Sequence, residues 1–87
     1  MNEIKEVEGK QSQGSVAIEE GGVKVTFAGR KPIFVEVDLS ELRNLLSGSD
    51  AGYLGEGIDV IASPDEVKFF KDDLLLVVDK GQLLLLF

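Results

Sequence analysis

The sequence predicts a mainly β fold: a small antiparallel two-sheet sandwich or partly closed barrel of about seven strands, three plus four, with one short helix inserted between the sheets in sequence. Three observations carry this expectation. From Ser15 onward, apolar residues recur with period two in short runs. Gly, Pro and Asp punctuate those runs at the spacing of antiparallel strands. One segment, Leu39–Ser47, changes to the period of a helix.

Residues 1–14 place Ile4 and Val7 among Glu, Lys, Gln, Ser and Gly, and so offer little apolar surface to bury. They read as a polar N-terminal arm able to add an edge strand, ahead of a single β-rich domain over 15–87. A chain of 87 residues suits one small core.

Gly21-Gly22 suits a two-residue hairpin turn, because glycine reaches positive φ at both central positions without strain. That turn sets Val16 opposite Phe27, Ile18 opposite Val25 and Glu19 opposite Lys24, with the apolar pairs on one face. After Gly29-Arg30-Lys31-Pro32, the alternation of Ile33–Asp38 puts Ile33, Val35 and Val37 on one face, with Phe34 and Glu36 on the other. The helix follows. Leu39, Leu42, Leu45 and Leu46 form its stripe, Asp38 stands at N-cap with Glu41 three residues on, and Gly48 stands where a C-terminal stop is wanted. Residues 49–57 read as an irregular glycine-rich loop.

Four more strands are expected at about Ile58–Ala62, Glu66–Phe70, Leu74–Asp79 and Gln82–Phe87. Ser63-Pro64-Asp65-Glu66, Asp72-Asp73 and Lys80-Gly81 supply the turns. One face then collects Val60, Ala62, Val67, Phe69, Leu76, Val78, Leu83, Leu85 and Phe87 as a core. The other carries Asp59, Ile61, Lys68 and Phe70, then Leu75, Val77, Leu84 and Leu86, so the last hairpin is apolar on both sides. Either the leucine stripe of the helix and the N-terminal arm cover that second face and its edge, or a second copy of the chain does.

Composition excludes several kinds of chemistry. Without cysteine or histidine there is no disulfide, thiolate or imidazole chemistry and none of the usual zinc ligands. The acid pairs Glu19-Glu20, Asp65-Glu66 and Asp72-Asp73 sit at turns or strand ends, where acids serve solubility and turn geometry. Gly52–Gly57 has a helix before it and a strand after, the reverse of a phosphate loop, and carries Glu56. Asp50, Glu56 and Asp59 lack the offsets of a calcium loop. The reading is therefore a protein that is not an enzyme, with no catalytic residue, no metal site and no cofactor.

Sixteen acids against nine bases leave a net charge of −7, which argues against direct nucleic-acid binding, and Lys24, Arg30 and Lys31 form only a small basic spot. The longest apolar runs are far short of the roughly 20 residues of a membrane helix, and the charged start does not resemble an export signal. A cytoplasmic location is the corresponding expectation. The function expected is that of a small acidic protein-interaction or self-assembling module, its partner another protein or a second copy of itself. Phe34, Leu75, Val77, Leu84 and Leu86 are the candidate interface. The alternative expectation is an acidic mimic of nucleic acid that inhibits a nucleic-acid-binding protein.

Overall fold

Alternation of β-branched residues with polar ones in Gly14–Glu19 (β2) and Gly22–Phe27 (β3) pairs the two strands antiparallel, with Val16 opposite Val25 and Ile18 opposite Val23. A computed structural model describes residues 5–19, 22–29, 31–48, 51–53 and 57–86 of the chain. In it Glu19 faces Gly22, so Gly22 belongs to the paired strand and the register is not the one that a Gly21-Gly22 turn would set. Gly22 opens β3 without a positive φ, and Gly21 lies outside the described residues. The shift moves each partner by two positions, which preserves the buried face and exchanges Phe27 for Val25 opposite Val16. Gly22 serves instead where β4 passes close, since a Cβ there would stand 3.2 Å from the Val37 carbonyl oxygen.

Lys5–Glu8 (β1) and Ile33–Val37 (β4) complete the first sheet, in the order β1-β2-β3-β4. β1 stands at the edge of this sheet, and its Val7 is buried. Asp38 caps the helix Leu39–Gly48 (α1), accepting from the Glu41 N–H at 3.1 Å. Leu42 and Leu46 enter the core from this helix. The second sheet has the order β5-β6-β7-β8. Its strands are Ala51–Tyr53 (β5), Asp59–Ala62 (β6), Glu66–Lys71 (β7) and Leu74–Asp79 (β8).

The two antiparallel sheets enclose one core, dominated by Val16, Val25, Phe27, Val60, Phe69, Leu76 and Val78. This is the sandwich alternative, with no closed barrel. Two elements differ from expectation. Inside the glycine-rich stretch, β5 pairs with β6, because Gly52 leaves room for the Leu45 side chain where a Cβ would intrude. The last expected strand is instead a short helix, Lys80–Leu84 (α2). Asp79 caps it by accepting from the Gln82 N–H at 2.9 Å, so Lys80-Gly81 begins a helix and does not turn a hairpin. Helical spacing then sends Leu83 and Leu86 into the core and leaves Leu85 82% exposed, against the expected burial of Leu85. Phe87 lies outside the described residues.

The chain also reverses at Pro64-Asp65 and at Asp72-Asp73, two connections that the sequence marks. Ser63 N–H donates to the Glu66 carbonyl at 2.8 Å around Pro64-Asp65. Asp72-Asp73 joins β7 to β8, with Asp72 at φ 53°. Among the described residues, no helix is long and apolar enough to cross a membrane.

Candidate interaction surface

Register decides which side chains leave the core of the second sheet. Ile61, Lys68 and Val77 form one row across β6, β7 and β8, and Asp59, Phe70 and Leu75 form the next. Both rows point away from the core, because Val60, Phe69 and Leu76 between them point in. Ile61 is 42% and Leu75 39% exposed, and Phe70 and Val77 are half-buried beside them. The helix α1 does not cover this surface. It packs at the inner side of the second sheet, with Leu42 and Leu46 in the core and Leu45 against Gly52.

An open hollow of about 620 Å³ adjoins Ile61 and Phe70 and is also bounded by Gly52, Asp59 and Val60. Its size falls within the range of ligand pockets, and among the described residues on its walls Asp59 is the one charged group. A small polar substrate needs several converging polar groups to be oriented. A hollow of this chemistry suits an inserted apolar side chain better.

The five residues expected at an interface do not come together. Leu75 and Val77 lie on this face. Phe34, 59% exposed, is on the opposite side of the sandwich, on the outer face of the first sheet, under the Lys24 ammonium at 4.5 Å from its ring centroid. Leu84 is exposed on α2, and Leu86 is buried at 9% exposure. Both were assigned to the outer face of a strand, and the helix overturns that assignment for Leu86 by turning it into the core. Ile61 and Phe70 were absent from the expected interface although period-two alternation already placed them on the outer face.

The acids are dispersed. Glu6 and Glu36 share a row of the first sheet with Ala17 and Lys24 between them, and Asp65, Asp72 and Asp73 occupy turns. Among the described residues, no three acidic side chains group as a metal site would require. Asp50 and Glu56 of the calcium alternative, and Arg30 of the basic spot, lie outside those residues.

The edge of β8 is occupied from within the chain. The β1–β2 connection, with a 3-10 turn at Lys10–Ser12, folds back onto it. The Val77 N–H donates to Gln13 Oε1 at 2.8 Å, and Lys10 pairs with Glu66 at 3.0 Å. The hydrogen bond to the Glu66 carboxylate, with the attraction of its charge, holds the Lys10 ammonium above the usual lysine value. Comparison with protein families, with characterised proteins and with solved structures finds no match for this chain.

Proposed function

We propose that this chain is a protein-interaction module without catalytic activity, which docks another protein on the outer face of its second sheet. The observation that carries the reading is the four apolar side chains Ile61, Phe70, Leu75 and Val77 gathered on two adjacent rows and left uncovered by α1. Clustered apolar surface of this kind marks association sites more often than scattered single residues do. The hollow beside Ile61 and Phe70 supports an anchored contact, and Asp59 at its wall favours a basic neighbour beside the anchor. The partner's surface is thus expected to offer an apolar side chain flanked by Lys or Arg.

Support for acidic mimicry is weaker, because the row that joins Glu6 to Glu36 is interrupted by Ala17 and Lys24. The test is affinity purification of tagged protein from its native cell, comparing the parent with Ile61→Lys/Leu75→Lys and with Phe34→Ala. A partner retained by the parent and by Phe34→Ala, and lost from the double variant while its circular dichroism stays native, is the expected result. Retention by the double variant would overturn the reading.

A further inference from the structure

Among the described residues the sandwich has four edge strands, and three of them carry their own protection against pairing with another chain. β1 has exposed charged residues at Glu6 and Glu8, β4 is preceded by Pro32 and carries Glu36, and β5 is only three residues long. β8 is the least protected: its one charged residue, Asp79, stands at its very end, and Leu74–Val78 before it is an unbroken apolar run without proline. It is also the edge on which the β1–β2 connection lies.

That connection is held at several points. Gln13 takes the outward-pointing Val77 N–H, and its own carbonyl accepts from the Ala28 N–H at 2.9 Å. Lys10 reaches Glu66 on β7. Gly9 packs so closely on Leu76 that a Cβ would collide with that side chain, and its N–H donates to the Gly14 carbonyl at 2.7 Å. A loop of the first sheet is thereby clasped over the edge of the second.

We infer that the β8 edge is a latent strand-addition site, kept shut by the Gly9–Gln13 clasp, and that its occupant when the clasp lifts is β8 of a second copy. Alternate N–H groups of an edge strand point outward, so lifting Gln13 frees Val77 and leaves the N–H groups of Leu75 and Asp79 in line with it. An incoming strand must be apolar on both faces, because β8 sets Leu76 and Val78 on the core side and Leu75 and Val77 on the outer side. β8 itself meets that requirement. Antiparallel pairing of two β8 strands about a two-fold axis joins the two second sheets into one. This surface is the strand edge, distinct from the face proposed above, and does not depend on that reading.

Gln13→Ala in the full chain removes the acceptor. The expected results are exchange of the Val77 amide faster by on the order of tenfold and a mass, by light scattering, that rises with concentration where the parent stays monomeric. Adding Val77→Lys places a charge on the edge strand and is expected to restore the monomer. Gln13→Asn, one methylene shorter and still polar, serves as the second variant if Gln13→Ala fails to fold, with the same results expected. A folded variant that stays monomeric over the same range, or one whose association persists with Val77→Lys, would overturn the inference.

Discussion

Gly14→Ala is the substitution whose effect the backbone states most directly. Gly14 opens β2 at φ 140°, a conformation that L residues rarely adopt. A Cβ there would run into the Thr26 carbonyl oxygen and stand 3.1 Å from the Ala28 nitrogen. Both obstacles are backbone of the neighbouring chain segment, so no rotamer change relieves them. Forcing the position costs about 1 to 3 kcal/mol of strain. Moving the strand away endangers the flanking bonds Gly9 N–H to Gly14 carbonyl and Ala28 N–H to Gln13 carbonyl, each contributing about 1 kcal/mol. The loss expected is therefore about 3 to 5 kcal/mol, against a total stability of roughly 4 to 13 kcal/mol for a chain of this length. Gly29→Ala is the control, since nothing lies within 4 Å of a Cβ there and its φ is not positive; its effect should stay within about 0.5 kcal/mol. Urea titration followed by far-ultraviolet circular dichroism measures both. With an m-value of about 1 kcal/mol/M, the Gly14→Ala midpoint falls by about 3 M or more. A loss below about 1 kcal/mol, or equal losses at the two glycines, would refute the reasoning.

Leu83→Ala should destabilise by about 2 to 5 kcal/mol and Leu85→Ala by less than about 0.5 kcal/mol, as the helical spacing of α2 requires; equal losses in thermal melts would favour a strand instead. Asp79→Ala should remove about 1 kcal/mol by deleting the cap of α2, read by the same melts, and Asp79→Asn should recover most of it. Because the folded Lys10 is raised above 10.5, its pairing with Glu66 is fully present below that pH and is lost as pH rises through the higher folded value. Amide exchange of Val77, corrected for intrinsic base catalysis, should therefore quicken in strongly alkaline solution, and Lys10→Met should abolish that step.

The buried face of each strand was legible wherever alternation was strict, although the β2–β3 register, two positions from the expected one, was not. Val23, Val25 and Phe27 on one strand, with Val35 and Val37 on the next, define a buried face by period two alone, and the Asp38 cap with its leucine stripe defines α1. The C-terminal segment was not legible in the same way. In Gln82–Phe87 nearly every residue is apolar, so the pattern has no period to read, and strand and helix both bury some leucines. The deciding signal was local: Asp79 followed three residues later by Gln82 is a helix N-terminus, and the 2.9 Å bond between them is its consequence. Gly14 gave no sign of its role, since its φ follows from the path of the β1–β2 connection across β8. The clasp itself joins Gln13 to Val77, 64 positions apart, and no local pattern encodes such a contact. Of the expected interface, the outer positions of β8 were legible from alternation, whereas the fate of Leu84 and Leu86 depended on the helix.

Site-specific photo-crosslinking in the native cell tests the proposed docking face most directly. A photoreactive residue is placed in turn at Ile61 and Leu75 on the outer face of the second sheet, and at Glu8 and Glu36 on that of the first, all four being exposed. The account predicts a discrete adduct of the same added mass from Ile61 and Leu75, and none from Glu8 or Glu36. Adducts from the first sheet alone, equal yields at all four positions, or no adduct at Ile61 and Leu75 would contradict it.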